Sequence, residues 1–276
     1  MQILTIGVFM NPWAKSYAFL AQQELIKSIN IETNIAYFYH EKELNQALLS
    51  GEIQIVCTPL SKLPTALPQG IAIAALLERS IAATNLVIHL NAVDTDKVLF
   101  LKENAKVSVF SALEKAQLAA IRHDLMIEII DQTPIERLND LRNNAYDACF
   151  IPASTNRVFD YDQTEYKIVS LSPKEFVTQA GCGVAALLAA EDDLTTRRLL
   201  KKLHHPMVAL ATNVERQVKK LFNDTDISAY CQLDAAKNYH LWAAALINGN
   251  LCKTRLSQST HLSLAERCKE VLIENA

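Results

Sequence analysis

Along the first two thirds of the chain, short apolar stretches take turns with stretches of helical spacing. Residues 2–9 alternate apolar and polar side chains and predict a strand, whereas Leu20, Glu24 and Lys27 fall along one side of a helix over 17–27. A strand over 33–39 follows, then a helix over 41–50 with Leu44, Ala47 and Leu48 on one face and Gly51 placed to stop it in the left-handed region. Residues 53–57 are short and apolar, as buried parallel strands are. The pattern is βαβαβ, which predicts an α/β layer.

The same pattern restarts after the polar stretch Asn91–Asp96, read as a crossover. It gives a strand over 106–110, a helix over 112–121 and a strand over 125–130. Thr133-Pro134-Ile135-Glu136 then opens a helix with a capping Thr, Pro at the first helical position and Glu three residues after the cap. Leu138 and Leu141 continue it, and 147–151 closes the unit as a strand. Two tandem α/β units predict two lobes with a cleft between them, a common place for a small-molecule ligand.

The last third changes character. Helices are predicted over 194–203 and 208–222, their Arg and Lys forming a solvated face. Strands over 240–247 and 251–256 bracket Asn248-Gly249, a hairpin signal. Ser263 to Glu266 reads as a second capping box, opening a helix that buries Leu264, Cys268 and Leu272. This predicts a small α+β domain, with Cys231 in the loop leading into it.

Composition narrows the function classes. The chain has 276 residues, and its 27 Lys+Arg against 30 Asp+Glu offer no basic face, so nucleic acid is not an expected partner. The longest apolar runs, 71–77 and 183–190, fall short of the ~20 residues that a membrane span requires. The N-terminal segment has neither the basic start nor the cleavage site of a signal peptide. Cysteines at 57, 149, 182, 231, 252 and 268 include no CxxC pair, which argues against a four-ligand zinc site and for reduced thiols. A soluble cytoplasmic monomer without a metal is expected. Cys57, Cys149 and Cys182 read as core, His204-His205 as structural residues at a helix start, and Asp192-Asp193 as a helix cap.

Three stretches then occur in a telling order: Leu63-Pro64-Thr65-Ala66-Leu67-Pro68-Gln69-Gly70-Ile71 with Glu78-Arg79; Gly181-Cys182-Gly183 running into Glu191-Asp192-Asp193; and Leu203-His204-His205, Asn213-Val214-Glu215-Arg216 and Cys231-Gln232. Together they resemble the LPxxLPxGL…ER, GQG and LNH…AER…GGCQ segments of the hydroxymethylbilane synthase (porphobilinogen deaminase) family. The resemblance implies two α/β lobes like those of type II solute-binding proteins and a small α+β C-terminal domain. On that reading residues 1–90 with 171–200 form the first lobe, 91–170 the second, and 204–276 the small domain carrying Cys231. It also implies the family's role in tetrapyrrole (haem) biosynthesis, the stepwise deamination and joining of four porphobilinogen units. The growing chain sits on a dipyrromethane cofactor held by a thioether, and the attachment cysteine corresponds to Cys231.

The other family positions depart from the pattern. The Lys-Asp dipeptide that supplies the catalytic aspartate is Ser61-Lys62 here, and the Arg-Arg pair of the second lobe falls on Glu114-Lys115. Further arginines fall near Glu128, Asp131 and Phe9; Arg137 is kept, and Lys115 stands as a point-charge substitute. The lid segment is absent, since Tyr39-His40 runs directly into Glu41. The residues before Cys231 are Ala229-Tyr230 instead of glycines, and Asp234 takes the place of a proline. The implied substrate contacts are therefore Ser61, Lys115 and Arg137, and Lys62 stands at the catalytic position in place of the family's acid. Two expectations remain open: a divergent synthase, or a catalytically inactive paralogue that binds a tetrapyrrole or other small molecule or serves in an interaction.

Overall fold

The computed structural model describes residues 3–10, 14–155, 164–223 and 226–276. In chain order they form β1 (Leu4–Phe9), α1 (Ala14–Ile29), β2 (Thr33–Phe38), α2 (Glu41–Leu49), β3 (Ile55–Pro59), β4 (Ile71–Leu76), β5 (Thr84–His89), β6 (Lys106–Val109), α3 (Ala112–Ile121), β7 (Met126–Ile129), α4 (Pro134–Arg142), β8 (Ala148–Pro152), β9 (Tyr166–Leu171) and β10 (Ala185–Ala190). The remainder forms α5 (Leu194–Leu200), α6 (Pro206–Leu221), β11 (Ile227–Leu233), β12 (Tyr239–Ile247), β13 (Asn250–Gln258) and α7 (Leu264–Glu274). Gln2, where the first strand was expected to begin, lies outside the described residues.

The chain divides into two compact units, Met1–Ser80 with Gly181–Asn213 and Ile81–Ala180 with Val214–Ala276. The first unit holds a five-stranded sheet in the order β2-β1-β3-β10-β4. β1 runs parallel to β2 and β3, and β10 antiparallel to β3 and β4. Both faces are covered, which is why these strands are apolar without strict alternation. Ile6, Val8, Ile55, Cys57 and Leu187 pack with Ala18, Ala21 and Leu25 of α1 on one side. Val56, Ala186 and Leu188 pack with Leu44, Ala47 and Leu48 of α2 on the other. Gly7 permits that second layer its close approach: a Cβ there would fall 2.2 Å from Ile53 Cδ1 and 2.7 Å from Leu44 Cδ1.

The second unit repeats the arrangement as β7-β6-β8-β5-β9, with β6 parallel to β7 and β8, and β5 antiparallel to β8 and β9. In each sheet four strands thus run one way and a single strand, β10 or β5, runs against them, the mixed five-stranded layer of the type II solute-binding lobes that the family resemblance implies. The expected boundaries are corrected at two points. β5 and β9 pair in the second sheet, so the first lobe ends before residue 84 and the second extends to 171. The switch is set by backbone pairing, which composition does not mark.

A third, antiparallel sheet, β11-β12-β13, belongs to the same unit as the second lobe. β12 and β13 are joined by the two-residue turn Asn248-Gly249, with φ of 53° and 83°, as the NG signal predicts. Trp242 and Ala244 on one face pack against Leu113 of α3 and Val177. Gln117 of α3 fixes that junction by donating to the Val177 carbonyl and accepting its N–H. The opposite face lies under α7, which buries Leu264, Cys268 and Leu272. The expected capping box at Ser263 does not form: Ser263 is left-handed, at φ 55°, and its side chain makes no cap bond. The loop expected around Cys231 is strand β11.

Candidate functional site

The C-terminal edge of the second lobe's parallel strands is closed by the chain's own caps. β6 turns into α3 through Phe110 and Ser111. Ser111 Oγ accepts the Glu114 N–H at 3.2 Å, and Glu114 Oε2 accepts the Phe110 N–H at 2.7 Å. β7 turns into α4 with the capping box predicted at Thr133: Glu136 Oε2 accepts the Thr133 N–H at 2.7 Å and its hydroxyl at 2.8 Å. These bonds hold the Glu136 carboxyl below its ordinary pKa. A helix N-terminus normally offers its N–H groups and dipole to an incoming anion. At both of these, a carboxylate of the chain itself is already seated.

Arg137 lies between the two turns and is fully buried. Its Nη2 donates to the Val109 carbonyl at 2.9 Å and to the Ile130 carbonyl, and its Nε to the Gln132 carbonyl at 3.4 Å. The guanidinium stacks 3.7 Å from the centroid of the Phe110 ring. Burial pushes its pKa down, against nearby acids that raise it. Nη1 is buried with no hydrogen-bond partner among the described residues. Arg137 therefore ties the ends of β6 and β7 together, with most of its fork spent on backbone carbonyls. Lys115, at the same sheet edge in α3, is exposed.

Cys231 is remote from that edge in orientation. Along β11, Tyr230 packs into the cluster around Trp242 on the α3 side. Side chains alternate across a strand, so the Cys231 thiol points to the opposite face, level with Leu241 of β12. Cys231 is 1% exposed, and its N–H donates at 2.8 Å to Oε1 of the buried Glu215 on α6. None of the six cysteines is in a disulfide.

The remaining sequence candidates fall in the first unit. Ser61, half-buried, and Lys62, exposed, sit in a single 3-10 turn after β3, anchored by the buried Leu60. The Gly181-Cys182-Gly183 turn packs on it: at Gly181, φ 77°, a Cβ would fall 2.8 Å from Leu60 Cγ. Arg79 Nε donates to the Cys182 carbonyl at 3.0 Å, and Ser80 Oγ to that of Gly183 at 2.9 Å. His204 Nδ1 accepts the Leu76 N–H at 3.1 Å, and the His205 N–H donates to the Leu76 carbonyl at 2.9 Å. The motif residues here brace turns, as expected for the histidines. Asp193 likewise caps α5 by accepting the Thr196 N–H.

The sequence reading missed the closure of α3, although Ser111-Ala112-Leu113-Glu114 carries the same S-x-x-E signature as the Thr133 box. The Glu215 contact to β11 had no local signal, because it joins residues 16 apart through tertiary packing. Among the described residues, no group of three or more His, Cys, Asp or Glu is placed to hold a metal, and no helix is long and apolar enough to cross a membrane.

Residues 28–198 match the family model described as porphobilinogen deaminase, dipyromethane cofactor binding domain. The porphobilinogen deaminase of Orientia tsutsugamushi (strain Boryong) is 30% identical over 182 residues, covering 66% of this chain and 59% of that protein. That of Oceanobacillus iheyensis is 28% identical over 202 residues, covering 70% of this chain and 62% of that protein. The chain thus spans less than two thirds of the length of these curated relatives. Among solved structures, the arginine-specific periplasmic binding protein of Salmonella typhimurium matches with 14% identity and a TM-score of 0.44, covering 79% of this chain and 99% of that one. The GluR0 ligand-binding core matches with 13% identity and a TM-score of 0.42, covering 74% and 91%.

The group named in that family model needs a sulfur that opens onto space for two pyrrole rings. Cys231 does not fit it. The thiol is 1% exposed, so it presents no open side on which a ring could be attached in this arrangement.

Proposed function

The chain belongs to the porphobilinogen deaminase family, and from that premise we propose a hydroxymethylbilane synthase-like protein of tetrapyrrole biosynthesis that has kept the fold without the thioether-borne polymerisation. The observation that carries this reading is the burial of Cys231 on the sheet face turned away from α3. The self-closed helix N-termini support it. Each charge-assisted bond from an arginine to a substrate carboxylate contributes about 1.5–3 kcal/mol. At the family's arginine positions this chain places Glu114, Asp131 and Glu128 instead. Glu114 is bonded to the Phe110 N–H and Glu128 Oε2 to the Tyr146 hydroxyl, so neither replaces a lost cation. Lys62, at the position of the family's acid, adds positive charge where the family reaction stabilises a developing cation.

In this role the protein binds a pyrrole-derived or other small molecule and passes it on or senses it, leaving its carbon–carbon bonds unchanged. Incubation with porphobilinogen, followed by oxidation and porphyrin absorbance, tests it. The expected result is no porphyrin above a heat-inactivated control, and none in Lys62→Asp. Turnover by the parent chain, or full recovery in Lys62→Asp, contradicts the reading.

A second reading, a divergent but active synthase, draws on one observation, the Arg137 Nη1 at the strand ends, without a partner among the described residues. The same assay decides between them, since only this reading predicts porphyrin.

A further inference from the structure

A serine, a histidine and an aspartate meet on the third sheet, on the face opposite to that of the Cys231 thiol. His240 of β12 stands directly opposite Ser257 of β13, and its Nδ1 lies 2.8 Å from Ser257 Oγ. Its Nε2 lies 3.2 Å from Oδ2 of Asp234, in the turn between β11 and β12. Asp234 is itself held: Asn238 donates its backbone N–H to Oδ1 at 2.8 Å and its side-chain amide to Oδ2 at 3.0 Å. An ionised carboxylate only accepts, so Nε2 carries the proton and Nδ1 presents its lone pair to the serine hydroxyl. The order is nucleophile, base, orienting acid.

The register explains the contact. The two-residue Asn248-Gly249 turn makes Ile247 and Asn250 a hydrogen-bonded pair, so His240 and Ser257, an odd number of steps along, form a non-hydrogen-bonded pair with close side chains. In such a pair the backbone N–H of Ser257 points away from β12. β13 is the edge of its sheet, so that N–H faces the open side beside its own Oγ. Ser257 is exposed, whereas His240 is half-buried against Trp242 with ring centroids 6.2 Å apart. Arg255, two residues earlier on the same face, lays its guanidinium over the same Trp242 ring, 5.3 Å from the centroid.

We propose that Ser257, His240 and Asp234 form an acyl-accepting centre on the C-terminal sheet, taking small esters or thioesters with a carboxylate on the acyl group placed for Arg255. Ser257 Oγ attacks the acyl carbon while its proton passes to His240 Nδ1. The bond from the acyl carbon to the leaving oxygen or sulfur breaks, and the leaving group departs with that proton as an alcohol or thiol. Ser257 then carries the acyl group as an ester, and water attacks it by the same proton route, releasing the acid. The Ser257 N–H is placed for the oxyanion of each step. Asp234 acts through His240 and is a positioning residue. The centre is independent of the porphobilinogen reading.

The test uses the full chain with a fluorophosphonate probe, read by intact mass and peptide mapping, and with 4-nitrophenyl acetate, read by nitrophenol release. The proposal predicts one adduct, on Ser257, that is absent from Ser257→Ala. Loss of a general base slows such a step about 100-fold, so His240→Ala should label that much more slowly and regain rate with added imidazole. Asp234→Asn should slow labelling while Asp234→Glu retains it, a distinction that loss of fold does not produce. No adduct on the parent chain, an adduct elsewhere, or labelling of His240→Ala at the parent rate overturns the proposal.

Discussion

At the residue scale, the same side-chain type serves opposite purposes according to what surrounds it. Arg137 and Lys115 are both cations at the edge of one sheet, yet the first is sealed under Phe110 and the second is in water. A hydrogen bond to a charged group contributes about 1.5–3 kcal/mol, so Arg137→Ala, which strands the Val109 and Ile130 carbonyls, should lower unfolding free energy by about 3 kcal/mol or more. Exposed substitutions change little, and Lys115→Ala should stay within about 0.5 kcal/mol. Urea unfolding of the two variants measures the contrast; equal effects would show that Arg137 is not a structural tie. Asp234 offers a titration. The Asn238 side-chain amide and N–H, then His240, hold it down at about 2. Its folded value is depressed, so its stabilisation is fully present above the unfolded aspartate value of about 4 and is lost as pH falls through about 2. Carbon-13 NMR of the Asp234 carboxyl should show that midpoint, and Asn238→Ala should move it up toward the ordinary value.

At the element scale, much of the structure is legible because it is local. The helix over 112–121 and the Thr133 cap are fixed by spacing and cap chemistry within a few residues of each other. The strands that escape are of another kind. β10, AALLAA, is buried along its whole length and has no β-branched residue, and β4, IAIAAL, is half alanine and partly buried in its middle, so neither shows the apolar–polar alternation that marks a strand. β11 was expected as a loop leading into the small domain, but the partners that make it a strand lie on β12. Ser263 shows the limit of a motif. The S-x-x-E pattern is present, but its backbone is left-handed and its hydroxyl makes no cap bond. Two substitutions separate the boxes: Thr133→Ala should cost about 1 kcal/mol, whereas Ser263→Gly relieves about 1–2 kcal/mol of left-handed strain against about 0.5–1 kcal/mol of glycine entropy and should stabilise by about 0.5 kcal/mol. Thermal melts read both, and a loss at Ser263→Gly would mean that its side chain does contribute.

At the scale of the whole molecule, the family resemblance was legible from motif order, and the comparisons place the chain in that family. The motifs proved to be largely architectural: the glycine turn at 181–183 braces the Leu60 turn, and the histidines bond the end of β4. That architectural role does not depend on whether the chain carries out the family's reaction. The state of Cys231 was not legible, because matching CQ in sequence says nothing about which face of a sheet the sulfur enters. Its burial is the centre of the account, and mass resolves it. The full chain, purified and then incubated with excess porphobilinogen, should give by intact mass spectrometry only the mass of the unmodified polypeptide, identical in pattern to Cys231→Ala. A dipyrromethane adduct on the parent chain that disappears in Cys231→Ala would contradict it.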